Sequence, residues 1–513
     1  MELYLNREKI SHIENVLNTS VTQEETMEMI VPDALPDILR AVCTDVTVMV
    51  RGKDTDVGRV SVSGVAAATV VYVPEGVGGV RRINAEMPFT IAAVESEITP
   101  ASRVVVRVSA VTADVSIINP RKFVLRADIR AEFSCYNDGE ILVTSDVELA
   151  QDGGIELLRE SRAVCIPVDV REKSFVISDE IALANGSPAI GDILSPRAAV
   201  TALDAKVVGN KVIFRGNAGI ALLYNCADSA QLHSADLVTE FSQIMEFETI
   251  SEECSFDIAL MLTGVYVEPG GTDDSGSKSV SIELHVVAQC VAAEKKTVSF
   301  VSDVYSTRHV LEQAAEELAF ENKDFSIRVN SVFRGMLEAP GDVSRVISVS
   351  AALGTAESAA ESGALVLRAP VHVKCVYMDA EGRVLAVTGR FEVEGQTDAR
   401  PGSAYTTTAA AGREVYGAPS GGGIELRIPV DFAVTETTIV QISQLGEISY
   451  DEEMTVDTSR LPSLMISKAA RGDTLWKLAK KHHSTATLIL SANGLESEDE
   501  IVEDQMLIVP KKR

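Results

Sequence analysis

A chain of 513 residues is too long for one ordinary core and predicts three or four domains. Its composition, 46% hydrophobic and 24% charged, is that of a folded globular protein, and no apolar run approaches the ~18 residues a membrane helix needs. The formal charge of −29 excludes nucleic acid and anionic lipid as main partners, because either would meet a repulsive field.

The first residues, "MELYLNREKISHIE" (1–14), interleave charged with apolar side chains and hold no export signal, so the chain reads as cytosolic and without direct membrane insertion. Seven cysteines are scattered with no CxxC pair, several in alternating apolar runs such as "VHVKCVYM" (371–378). That pattern predicts buried, reduced thiols rather than a disulfide framework or metal site. The charge is uneven. Residues 464–513 carry eight Lys/Arg against seven Asp/Glu, about +1, which leaves −30 on the preceding residues and sets the last segment apart as a module.

Self-comparison divides the preceding body into three. "GRVSVSGVAAATVVYV" (58–73), "NKVIFRGNAGIALLYN" (210–225) and "GALVLRAPVHVKCVYM" (363–378) align without gaps at a period of 152 to 153 residues. In each, a β-rich strand reaches Gly64, Gly216 or Ala369, and eight residues later comes Tyr72, Tyr224 or Tyr377. Upstream, "LPDIL" (35–39), "IGDIL" (190–194) and "PGDVS" (340–344) hold similar places; downstream, each unit has a Pro, a turn and a long strand. Because alanine replaces glycine at the third landmark, close backbone approach is expected there rather than a positive φ. The tyrosines read as core residues with the hydroxyl at the rim. "DILRAV" and "DILSP" suggest short helices capped by aspartate. "HVLEQAAEELAFEN" (309–322) fits either an amphipathic helix or a connecting strand.

The fold expected is mainly β: three tandem β-rich units at 1–155, 156–308 and 309–449, an acidic linker at 450–463, and a small α+β (βααβ) domain at 464–513. Chemistry is hard to find in it. There is no P-loop, HExxH, GxSxG or zinc-ligand spacing, and "EGVGGVRR" (75–82) reads as a turn. No catalytic residue, metal or cofactor is therefore assigned, and a non-enzymatic scaffold is expected.

In the last module, Asp473 and Thr474 are helix-capping types, and Leu475, Leu478 and Ala479 with Trp476 form an apolar stripe. A second helix stops near Asn493-Gly494. "GDTLWKLA" (472–479), "NGL" (493–495), Ile501 and Pro510 closely resemble the LysM family. The resemblance implies a groove between the loop before the first helix and the loop after the second. Its candidate partner- or ligand-binding residues are Arg471, Gly472, Asp473, Thr474, Leu475, Lys477, Lys480, Lys481, Asn493, Gly494, Leu495, Ile501 and Val502. Where LysM modules usually have Pro-Gly-Gln before the last strand, this chain has Glu503-Asp504-Gln505, and Leu464, Met465 and Ile466 stand where a tyrosine is common, which weakens the expectation of glycan binding.

"IVPDALPDIL" (30–39), "INAEMPFT" (83–90) and the Gly64 to Tyr72 strand resemble the SPOCS module of endospore-forming bacteria, most clearly in unit one and in degenerate form in units two and three. Tandem SPOCS units followed by LysM is the layout of SipL-like spore coat morphogenetic proteins. The resemblance implies a coat scaffold in the mother-cell cytoplasm, at the forespore surface, whose LysM module docks on the SpoIVA coat-base ATPase while the β units recruit other coat proteins. The alternative is a peptidoglycan-binding protein of the cortex or wall.

Overall fold

The computed structural model describes residues 3–149, 154–229, 231–248, 250–271, 276–412, 414–456, 462–497 and 501–511. Three units follow one another, each built from two antiparallel sheets packed face to face. Unit one comprises β1 (Leu3–Ile30), β2 (Ile38–Asp56), β3 (Arg59–Pro74), β4 (Arg81–Val94), β5 (Arg103–Asn119) and β6 (Lys122–Leu149). Its sheets have the orders β2-β3-β4 and β1-β6-β5. Unit two repeats this with β7 (Ile155–Ala182), β8 (Ile190–Val208), β9 (Lys211–Cys226), β10 (Leu232–Glu246), β11 (Cys254–Pro269) and β12 (Ser279–Ser306), ordered β8-β9-β10 and β7-β12-β11.

Unit three has the same plan in more pieces. Its strands are β13 (His309–Leu337), β14 (Val343–Leu353), β15 (Glu357–Glu361), β16 (Ala364–Asp379), β17 (Val384–Asp398), β18 (Ala404–Ala411), β19 (Tyr416–Ser420) and β20 (Gly423–Thr455). Both β14 and β15 line one edge of β16, and β18 and β19 share an edge of β20. The segment 309–322 is therefore strand. The segment read as a linker from Tyr450 opens as the end of β20, and its residues 457–461 lie outside the described residues.

The central strands explain the repeat. Alternate residues of β3, β9 and β16 are buried in the sandwich core, and all three strands close on three consecutive buried residues ending at Tyr72, Tyr224 and Tyr377. Each tyrosine is fully buried, and its hydroxyl donates to a proline carbonyl at the unit's rim: Tyr72 to Pro36 at 3.1 Å, Tyr224 to Pro188 at 3.3 Å and Tyr377 to Pro340 at 3.2 Å. The shared upstream landmark is thus the proline, and the aspartates of "LPDIL" and "IGDIL" are not equivalent.

Those upstream segments are strands, not the expected short helices. Two bulges sit three residues apart in each first edge strand: at Ile38/Arg40 and Ala41/Cys43 in β2, at Ile190/Asp192 and Ile193/Ser195 in β8, and at Val343/Arg345 and Val346/Ser348 in β14. An inserted residue every third position turns strand alternation into an apolar spacing that imitates a helix. Asp37 caps nothing; its carboxylate accepts from the Arg121 guanidinium at 3.0 Å.

Gly64 and Gly216 have ordinary negative φ, and a Cβ on either would lie 2.3–2.4 Å from a carbonyl oxygen of the adjacent strand and against the ring of Phe89 or Phe241 directly across the sheet. Close approach is the reason for the glycine, as expected. In unit three the neighbouring edge is interrupted between β14 and β15, opposite Ala369, and the cross-strand residue is Val393.

The residue before each landmark tyrosine points away from its own core. Val71, Leu223 and Val376 meet with the equivalent edge residues Val42, Leu194 and Ile347 in one cluster shared by all three units. Arginines lace this junction: Arg40 donates to the Val384 carbonyl, Arg345 to that of Leu232, and Arg82 to that of Ile193. Further along, Val143 of unit one packs with Phe300 of unit two and Phe320 of unit three. The three units are therefore fused about a common axis, not strung as beads. The seven cysteines are free, and burial pushes the Cys43 and Cys375 thiols up to about 12.

Candidate binding module and its clasp on the middle unit

After unit three the chain forms β21 (Leu464–Lys468), α1 (Leu475–Lys481), α2 (Ala486–Asn493) and β22 (Met506–Pro510), with β21 antiparallel to β22. Thr474 caps α1, its hydroxyl accepting from the Lys477 amide at 3.2 Å. Asp473 serves the turn before it, accepting from the Ala470 amide at 2.9 Å. Gly472 at φ 81° makes that turn, and Gly494 at φ 66° ends α2 in the left-handed conformation.

Leu475, Leu478, Ala479, Ile489, Leu507 and Val509 form the core between the helices and the hairpin. Leu475 is wholly buried there, which removes it from the candidate contacts: its place at the start of the helical stripe points it inward. Asn493 is a staple, its amide donating to the carbonyls of Ile489 and Ile508 at 2.7 Å and its oxygen accepting from the Ile508 amide at 2.8 Å. Arg471, Gly472, Thr474, Lys477, Lys481, Gly494 and Val502 are exposed; Asp473, Lys480, Leu495 and Ile501 are half-buried. Lys477 reaches back to the Gly472 carbonyl at 3.0 Å, and Leu495 and Ile501 lean on the core.

The small core is completed from outside. Tyr305, near the end of β12, packs edge-on against Trp476 with ring centroids 4.8 Å apart and donates its hydroxyl to the Ser484 carbonyl at 2.8 Å. Asp303, two residues earlier, accepts from Trp476 Nε1 at 2.7 Å and from Lys480 Nζ at 2.6 Å, while Gln313 donates to it at 2.6 Å. Burial would raise the Asp303 carboxyl, but the Lys480 ammonium with the Trp476 and Gln313 donors outweighs it and holds the group below the usual carboxylate range. Lys480 is thus committed to unit two. The sequence carries no local signal for Asp303 or Tyr305; the only hint is a fifty-residue module with one tryptophan, which is marginal alone.

A second surface escaped the sequence reading. Ile466 stands opposite Ile508 across the hairpin, with Leu464 and Met506 on the same face, and all four are exposed. Alternation along two five-residue strands puts Leu507 and Val509 into the core and this apolar row outward.

Among the described residues no group of three or more His, Cys, Asp or Glu is placed to hold a metal, and no helix is long and apolar enough to cross a membrane. Family models match two parts of the chain: residues 469–510 match the LysM domain, and residues 189–268 match the SipL, SPOCS domain. The SPOCS match falls on unit two, whereas the motifs stand out most clearly in unit one. It covers the whole short sheet, β8 to β10, and β11 up to Glu268. No curated protein and no solved structure matches.

Proposed function

From a SPOCS domain and a LysM domain carried on one chain, we propose a non-enzymatic spore coat morphogenesis scaffold. The pair supports a sporulation-related protein with glycan-binding capacity, and both families are binding or scaffold domains rather than enzymes. The finer reading is that the LysM module docks on the SpoIVA coat-base ATPase at the forespore surface, in the mother-cell cytoplasm, and that the β units recruit other coat proteins.

The observation that favours a protein over a glycan is the hairpin face of Leu464, Ile466, Met506 and Ile508. Protein interfaces are anchored by apolar side chains that lose their water, with charges at the rim steering the encounter. Lys477 and Lys481, both exposed, supply such charges, and Arg471, Thr474, Gly494 and Val502 line the loops beside them.

The test uses the full chain, because Tyr305 and Asp303 are part of the module's core and clasp. Binding to purified SpoIVA and to insoluble peptidoglycan is measured for the wild type, Ile466→Glu and Thr474→Ala. Saturable ATPase binding weakened at least ~10-fold by Ile466→Glu supports docking. Binding to peptidoglycan alone, sensitive to Thr474→Ala and indifferent to Ile466→Glu, would overturn it in favour of the glycan reading.

A further inference from the structure

Each short sheet ends on an outer edge strand, β4, β10 or β17. Natural proteins blunt such edges with lysine or arginine, proline or a bulge, because unpaired backbone groups invite another strand. β4 carries Arg81, Arg82 and Pro88. β17 carries Arg390, and its Glu394 carbonyl accepts from the Ser331 hydroxyl. β10 has no proline, lysine or arginine, and all 15 of its residues pair with β9 without a register shift.

The open side of β10 is defined by what reaches its ends. Arg345 of unit three donates to the Leu232 carbonyl at 2.9 Å and Lys173 of β7 to the Ile244 carbonyl at 2.7 Å, so the even-numbered residues turn these groups away from β9. Unit one agrees. Pro88 stands opposite Val65 as Glu240 stands opposite Asn217, each partner directly after a landmark glycine, and an edge proline is accommodated where its missing N–H faces outward. Ser234, Asp236, Val238, Glu240 and Ser242 therefore present N–H and C=O groups to the open side. All five are exposed, and among the described residues none of these backbone groups has a side-chain or loop partner there.

The side chains select the partner. Val238 is 44% exposed and stands opposite Gly219, so no apolar side chain of its own sheet lies across from it. Asp236 and Glu240 flank it on the same face. Arg197 partly offsets Asp236, whereas Glu240 has no ion pair among the described residues. A second copy of β10 fits poorly: twofold antiparallel pairing centred on Val238 sets Asp236 against Glu240, and centring on either acid sets it against itself.

We propose that β10 takes up an extended segment of another protein as an added strand, with lysine or arginine opposite Asp236 and Glu240 and an apolar residue opposite Val238. The backbone supplies the affinity and the two acids the choice of partner. This rests on the reading of the β units as recruiting surfaces, and it is independent of what the LysM module binds.

The probe is a labelled, end-blocked Thr-Lys-Thr-Val-Thr-Lys-Thr peptide, titrated against the full-length protein and followed by fluorescence anisotropy, with the glutamate-for-lysine peptide as control. The basic peptide is expected to bind saturably and to weaken as salt rises, and the acidic one not to bind. Glu240→Lys keeps the N–H and reverses the charge, and is expected to weaken binding about fivefold. Glu240→Pro removes both the acid and the N–H, with Pro88 as the precedent for folding, and is expected to weaken it by at least about tenfold. Ile466→Glu, which tests LysM docking, should bind the peptide as the wild type does. No saturable binding of the basic peptide, or equal binding of the acidic one, overturns the proposal. Binding left unchanged by the folded Glu240 variants overturns it too, as does binding lost in Ile466→Glu, which would place the peptide on the LysM module; if Glu240→Pro does not fold, Glu240→Lys decides.

Discussion

Asp303 and Trp476 are 173 residues apart and joined by a 2.7 Å hydrogen bond from the indole nitrogen to the carboxylate. Because Trp476 is the chain's one tryptophan, its emission reports directly on the clasp between the LysM module and unit two. Asp303→Ala strips the indole N–H and the Lys480 ammonium of their acceptor, a loss of about 1–3 kcal/mol for partly buried groups. The expected outcome is red-shifted tryptophan emission with unchanged far-ultraviolet circular dichroism, since the three β units do not depend on the clasp.

The same contact sets a pH response. The folded Asp303 carboxyl holds its proton less tightly than a free one, so the clasp is at full strength above the ordinary value of 3.8 and weakens as the pH falls below it. An acid titration followed by tryptophan emission is expected to stay flat from neutral pH down to that ordinary carboxyl value and to shift red only below it. The Asp303→Asn variant is expected to lack that step, which separates it from acid unfolding of the body.

The tyrosine hydroxyls give a prediction repeated three times in one molecule. Tyr72→Phe, Tyr224→Phe and Tyr377→Phe each keep the buried ring and remove only the donor to Pro36, Pro188 or Pro340. Each is expected to cost about 1 kcal/mol in denaturant unfolding, with closely similar values because the geometry is shared. A null effect at all three would make the proline carbonyl contact incidental.

The triplication, the β class and the βααβ module were legible because they rest on alternation and on spacing within one strand or one short module. The tyrosine was placed correctly for the same reason. The short helices at "DILRAV" and "DILSP" were misread because paired bulges at Ile38/Arg40 and Ala41/Cys43, and at the matching places in β8, convert a period of two into a period of three. Asp303, Tyr305 and the shared cluster around Val71 were invisible: their roles come from elements more than a hundred residues away, and each looks locally like an ordinary strand residue. The hairpin face at Ile466 and Ile508 was missed because β21 and β22 are too short for alternation to show which side is solvent.

Gly64 and Ala369 hold equivalent positions, and the difference between them predicts which substitutions the fold accepts. A Cβ at Gly64 would stand 2.3 Å from the Met49 carbonyl oxygen and 2.7 Å from the Phe89 ring. The ring can turn aside, but the carbonyl belongs to an edge strand that continues past this point, bulging between Val50 and Gly52 without a gap. Unit three accepts Ala369 because its edge strand is interrupted between Leu353 and Glu357 and because Val393 replaces the phenylalanine. Gly64→Ala is therefore expected to destabilise by about 3 kcal/mol, the upper range for overpacking. Adding Phe89→Val should relieve only the ring and recover little. Ala369→Gly, which loses one buried methyl and adds backbone freedom, should cost about 1 kcal/mol. Urea unfolding of the three variants distinguishes the cases: full rescue of Gly64→Ala by Phe89→Val would mean that the aromatic ring, not the strand backbone, is what keeps the glycine.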